Sequence, residues 1–143
     1  MLTLTQLTKR YDQHVAVNQL NVHIPKGQIW GFLGVNGAGK STTMKMISGL
    51  LKPTEGSVSV RGINVFERPL EAKRVIGYVP DRPYLYARLS VAEYLYFVGK
   101  LYSVPVDEIE GRVTRWLTEF ERQEKGGHLI ESLSHGMKQR LVM

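Results

Sequence analysis

The sequence predicts an α/β fold with a β-rich front and a helical back. Three patterns carry that reading. Leu20, Val22 and Ile24 alternate with Asn21 and His23, the period of a half-buried strand. The run Ile29-Trp30-Gly31-Phe32-Leu33 is apolar on both faces, as in a strand covered on both sides of a sheet, and it leads into a glycine-rich turn. From Ser90 onward, apolar residues recur at helical spacing.

Taken in order, residues 1–27 read as β structure closed by the turn Pro25-Lys26-Gly27. Beyond the glycine-rich turn, residues 40–51 read as a helix with Met44, Ile47 and Leu51 on one face, ended by Lys52-Pro53-Thr54-Glu55-Gly56. Two short strands are expected at 57–61 and 75–79, separated by a loop containing Pro69. Ser90 with Glu93 fits a capping box, and Val91, Tyr94, Leu95, Val98, Leu101 and Tyr102 then share one helical face. A second helix is expected to begin near Asp107, with Glu110 at the matching cap position. Its buried face would hold Ile109, Val113, Trp116, Leu117 and Phe120. Gly126-Gly127 closes that unit. The front (1–80) and the helical part (81–135) read as two lobes of one domain, because no stretch between them has linker composition.

Composition narrows the class. A chain of 143 residues can build a core, and 43% apolar with 22% charged residues is ordinary for a globular protein. The longest run without a strongly polar residue is 29–35, far short of the roughly 20 residues a membrane span needs. The N-terminus lacks the basic-then-apolar pattern of a signal peptide, and there is no cysteine for disulfides or thiolate chemistry. The chain therefore reads as cytoplasmic. A net charge of +6 without any long basic block selects no partner, and no nucleic acid is expected. His14, His23, His128 and His135 lack metal-ligand spacing and read as surface or loop residues. Lys9, Arg10 and Lys26 read as solvated loop charges.

The sharpest signal is at residues 34–41, Gly-Val-Asn-Gly-Ala-Gly-Lys-Ser, which match G-x-x-x-x-G-K-[ST] at every defined position. Holding a triphosphate requires many N–H donors converging on crowded anionic oxygens. Gly34, Gly37 and Gly39 remove the β-carbons that would stop the backbone wrapping them, with Asn36 and Ala38 between. The helix start adds unsatisfied N–H groups and a positive dipole end. Lys40 supplies charge for the β- and γ-phosphates, the Ser41 hydroxyl can ligate Mg²⁺, and Thr42 is placed for a further phosphate contact. ATP and Mg²⁺ are the expected ligands. A small-GTPase reading fails twice: Tyr84 stands where a glycine should follow Asp81, and an Asn-Lys-x-Asp guanine motif is absent.

Three further segments carry a resemblance to the ABC-type ATPases, that is, to a P-loop NTPase of the ABC ATPase type. Leu-Ser-His-Gly-Met-Lys-Gln-Arg at 133–140 resembles the family's Leu-Ser-Gly-Gly-Gln signature and its following Gln-Arg. Tyr11 lies where the family places an aromatic ring that stacks on adenine. Ile-Gly-Tyr-Val-Pro-Asp at 76–81 resembles the Q-loop segment, with aspartate in place of glutamine. From the residues alone, Tyr11 could equally pack at a strand end, and Asp81 could equally be a turn residue. The resemblance implies that Asp81 reaches the Mg²⁺ shell and that Ser134, His135 and Gly136 contact ATP held by an opposing subunit. His135 stands where the family has glycine and Met137 where it has glutamine, which puts the strength of that contact in question. Residues 133–143 would hold the signature and the start of its helix.

The resemblance also implies a downstream apolar strand ending in Asp-Glu, the metal-binding aspartate and the catalytic glutamate. Of thirteen acidic residues, the only Asp-Glu pair is Asp107-Glu108, behind Ser-Val-Pro-Val. The expectation is thus a C-terminally incomplete nucleotide-binding domain without Walker B or general base, one that binds ATP and hydrolyses it poorly. The implied whole protein is an energy-coupling subunit of an ABC membrane transporter, an exporter. It would pair with a second ATPase subunit and a separate transmembrane permease, peripheral at the cytoplasmic face of the cell membrane. The rivals are a soluble ABC ATPase acting on ribosome or DNA, and an inactive fragment.

Overall fold

The computed structural model describes residues 1–119 and 126–143, which divide into two compact units, Met1–Tyr78 and Val79–Met143.

In the first unit, β1 (Leu2–Tyr11) and β2 (His14–Ile24) form a hairpin around Asp12 and Gln13. With β3 (Glu55–Val60) and β4 (Ile63–Asn64) they make an antiparallel sheet of order β2-β1-β3-β4. The β1–β2 register runs from Leu2 opposite Ile24 to Tyr11 opposite His14, with shifts after Leu4, after Leu7 and after Lys9. Gln6 and Gln19 adopt positive φ at these irregularities. Side chains there satisfy the amides that leave the ladder: Gln6 N–H donates to Asn21 Oδ1 at 2.9 Å and Gln19 N–H to Thr8 Oγ1 at 3.0 Å. Leu4, Leu7, Val17 and Val58 of the sheet pack against Met46 of helix α1 (Lys40–Ile47), with Val65 and with Ala72 of α2 (Pro69–Val75). Each buried Leu, Val or Met side chain of this set is worth about 1.5–3 kcal/mol of transfer free energy.

The front departs from expectation in four places. Residues 28–35 are not a regular strand, and Ile29 and Leu33 are 101% and 93% exposed. A strand exists through its ladder, and among the described residues none pairs with this run. Residues 76–79 likewise form no strand, while Pro69 opens helix α2 instead of sitting in a loop. Proline at a first helical position loses no needed N–H and has its φ already set. Helix α1 ends at Ile47 with Ser48 as its C-cap; its buried residues are Thr43 and Met46, and Met44 is exposed. Ile47 and Leu51 pack at the core's margin.

In the second unit, α3 (Val91–Leu101) begins with the capping box. Ser90 N–H donates to Glu93 Oε2 at 2.7 Å, and Glu93 N–H donates to Ser90 Oγ at 3.2 Å. Helix α4 (Val106–Glu119) lies along α3, its Ile109 buried beneath Gly99, where an added Cβ would meet Ile109 Cγ1 at 3.2 Å. A second cluster of Val91, Ile130, Leu133 and Leu141 gathers Tyr94, Leu95, Trp116 and Leu117 around it. Val113 is half-buried, as the helical pattern requires. Leu101 and Tyr102 are exposed, because α3 ends there. Helix α4 starts before Asp107: the Pro105 carbonyl accepts from Glu108 and Ile109 N–H, so the Asp107–Glu110 cap does not form. Phe120 lies outside the described residues. A 3₁₀ turn, Ile130–Ser132, leads to α5 (His135–Leu141).

Candidate nucleotide-binding site

Residues 34–40 turn the chain from the exposed run into α1, and the turn is shaped by backbone conformation. Gly37 and Gly39 sit at φ 85° and 84°, in the left-handed region. Alternating such residues with right-handed ones aims successive N–H groups into one concavity. Gly39 is constrained a second way: a Cβ there would lie 2.3 Å from the Ala16 carbonyl oxygen, so β2 presses directly on the loop. Gly39 is the N-cap of α1 and supplies no side-chain acceptor, and the first turn carries no acidic residue. The first-turn amides therefore face the cleft with no carboxylate on their own helix competing for them.

Lys40 closes the loop from within. Its Nζ donates to the Gly34 and Val35 carbonyls, both at 2.6 Å. Ala38 N–H is engaged with the Val35 carbonyl at 3.2 Å. Gly34 and Ala38 thus build the loop from behind, while Asn36, Gly37, Gly39, Lys40, Ser41 and Thr42 line a cleft of ≈ 310 Å³. Its opposite wall is the β1–β2 hairpin: Tyr11, His14 and Ala16.

His14 is the residue sequence reasoning missed. The signal lay in the hairpin: a two-residue turn at Asp12-Gln13 sets Tyr11 opposite His14, so both reach the same cleft. Lys9 is also more than a solvated loop charge. It is half-buried in β1, its Nζ donates to the Lys52 carbonyl at 2.9 Å, and it lies 5.3 Å from the centroid of the Tyr11 ring.

The other expected site residues belong to the second unit. Ser134 caps α5, its Oγ accepting from Met137 N–H at 3.3 Å, and His135 and Gly136 are exposed. A Cβ on Gly136 would meet nothing within 4 Å, so its own unit does not demand glycine there. Asp81 is exposed, and its backbone carbonyl accepts from Gln139 Nε2 of α5 at 3.2 Å, tying Asp81 to that helix within the second unit.

A family model described as ABC transporter matches residues 17–143. The chain belongs to the ABC transporter family. The ABC relatives it resembles include the bacitracin transport ATP-binding protein BcrA of Bacillus licheniformis, 37% identical over 99% of this chain and 45% of that protein. Another is the SkfA peptide export ATP-binding protein SkfE of Bacillus subtilis (strain 168), 34% identical over 100% of this chain and 59% of that protein. The chain spans about half the length of these curated relatives. A solved ATP-binding subunit of an ABC transporter superposes with a TM-score of 0.90 at 30% identity, covering 99% of this chain and 59% of that one. A dimeric ATP-binding cassette in a post-hydrolysis state, bound to ADP and Pi, gives 0.86 at 26% identity, covering 99% and 67%. The fold is that of the ABC ATPase nucleotide-binding domain. No helix among the described residues is long and apolar enough to cross a membrane.

Proposed function

We propose that this chain is the ATP-binding, energy-coupling part of an ABC membrane transporter, holding Mg-ATP in the cleft between the hairpin and the phosphate loop. The observation that carries this is the cleft itself: a flat aromatic ring on one wall, and on the other a lysine and left-handed glycines at a helix start. Lys40 places two of its three N–H donors on loop carbonyls, which leaves the third for a phosphate oxygen. Tyr11 offers a face for the base.

Mg²⁺ fits this donor set. It takes few protein ligands and completes its shell with water and substrate phosphates, and among the described residues no acidic or histidine cluster forms a dedicated cage. The Ser41 hydroxyl, lining the cleft at the first turn of α1, is the residue that would hold it. When bound, the ion neutralises charge on the β- and γ-oxygens.

In this reading Ser134, His135 and Gly136 approach the γ-phosphate bound by a second subunit, which explains a glycine that its own unit does not require. A separate permease then receives the motion at the cytoplasmic face of the membrane. The names of the relatives, bacitracin transport and peptide export, favour transport, and export, over action on ribosome or DNA.

Calorimetric titration with Mg-ATP tests the reading. Saturable binding is expected, weakened roughly ten- to a hundredfold by Lys40→Ala, the range for losing a charged hydrogen bond. Absence of saturable binding, or equal affinity in Lys40→Ala, would sink it.

A further inference from the structure

Tyr11 is 46% exposed at the end of a hairpin, a position where an aromatic ring would ordinarily sample several orientations. Here one face of it is occupied. Lys9 Nζ stands 5.3 Å from the ring centroid and is itself anchored by the Lys52 carbonyl at 2.9 Å. Tyr11 lines the nucleotide cleft, and Lys9 is not among the residues that line it.

The anchor matters as much as the ring. Lys52 belongs to the stretch leaving α1, the helix that opens with the phosphate loop. The same stretch is tied twice more to the end of β1: Thr54 N–H donates to the Thr8 carbonyl at 2.9 Å, and Arg10 N–H donates to Thr54 Oγ1 at 3.0 Å. Residues 8–10, which lead into Tyr11, are thus fastened to the element that carries the phosphate donors. A ligand with a flat base at one end and phosphates at the other would meet two contact points already set apart at a fixed distance.

We infer that Lys9 is the positioning residue of the base platform. It holds the Tyr11 ring from behind and, through the Lys52 carbonyl, sets that ring's place relative to the phosphate loop. It makes no contact with the nucleotide. The cation draws ring electron density toward itself and leaves the cleft-side face better suited to an electron-rich purine. The inference rests on reading the cleft as an ATP site, and it adds that affinity for the base depends on a residue outside the cleft.

The test separates base from phosphate. The full chain, Lys9→Met, Lys9→Arg, Tyr11→Ala and the double variant Lys9→Met/Tyr11→Ala are each titrated with Mg-ATP and with magnesium tripolyphosphate, which has no base. Lys9→Met is expected to weaken ATP about two- to fivefold, the range of a partly exposed cation–aromatic contact, and to leave tripolyphosphate unchanged. Lys9→Arg keeps the charge and should restore ATP affinity. Lys9→Met should add no further loss once Tyr11 is alanine. Equal weakening of both ligands would mean that Lys9 acts only through its long-range field, and that result overturns the proposal, as does unchanged ATP affinity. If Tyr11→Ala leaves ATP unchanged, the base-platform reading of the cleft fails instead. Should Lys9→Met not fold, Lys9→Gln keeps a donor for the Lys52 carbonyl without the charge and answers the same question.

Discussion

Gly37 and Gly39 offer a controlled comparison within one loop. Both lie in the left-handed region, at φ 85° and 84°, so replacing either with alanine incurs the same conformational penalty, about 1–2 kcal/mol. Both replacements also narrow the unfolded ensemble alike, an effect that cancels between them. What differs is space. A Cβ on Gly37 would meet nothing within 4 Å, whereas one on Gly39 would stand 2.3 Å from the Ala16 carbonyl oxygen and 3.1 Å from Val17 Cγ2. That oxygen is β2 backbone and cannot swing aside as a side chain tip would; the strand or the loop must move. Overpacking of this kind typically costs about 1–3 kcal/mol more. Gly37→Ala should thus cost about 1–2 kcal/mol and Gly39→Ala about 2–5 kcal/mol. Urea unfolding followed by far-ultraviolet circular dichroism reads the difference directly. Equal losses for the two variants would refute the claim that β2 presses on the loop.

Other outcomes follow from single contacts. The Ser90 amide, and then its hydroxyl, hold the Glu93 carboxyl below its ordinary 4.5. A depressed carboxylate contributes stability above its unfolded pKa and loses it as pH falls through the folded one. Melting of the chain and of Glu93→Gln should therefore differ by a constant amount above about pH 4.5 and converge in acid; a gap that widens in acid would contradict this. Ser134→Ala removes the N-cap of α5 and should cost about 1 kcal/mol in urea unfolding, with no loss pointing to a helix held by packing alone. Ile29→Thr and Leu33→Thr should leave the melting temperature unchanged, since both side chains stand in solvent, and should reduce self-association seen by light scattering. A clear drop in melting temperature would mean that these side chains are packed.

What could be read from the sequence was what neighbours along the chain decide. The hairpin strands, the capping box at Ser90 and the loop-to-helix transition at Lys40 each depend on residues within a turn or two of one another. The run at 28–35 was misread because apolar composition specifies burial without supplying a partner strand. Pro69 was misread because a breaker and a first-turn residue look the same until the following residues are seen to pack, as Ala72 does. Gly56 read as a simple helix stop, yet at φ 80° it sits in β3 where a Cβ would come within 2.3 Å of the Gln6 carbonyl oxygen. That contact is with β1, a strand some fifty residues earlier in the chain. His14 and Lys9 were missed for the same reason. Their importance comes from what β1 lies against, and a one-dimensional pattern does not record it.

The same distinction bears on how the cleft works. A glycine-rich loop with a lysine is generic for phosphate; by itself it reads neither base nor sugar. Here its shape is held before any ligand arrives, by Lys40 bonded to two carbonyls at 2.6 Å and by the Ala16 backbone closing on Gly39. Pre-set donors lose little freedom on binding, which is where most of the affinity of a small polar site originates. The hairpin that presses on Gly39 is also the one that presents Tyr11 and His14 to the cleft. One β-hairpin thus fixes the phosphate donors, through Ala16 of β2, and supplies the aromatic wall, through Tyr11 of β1. A substitution that shifts β2 should therefore damage both ends of the ligand at once, whereas one behind Tyr11 should damage only the base.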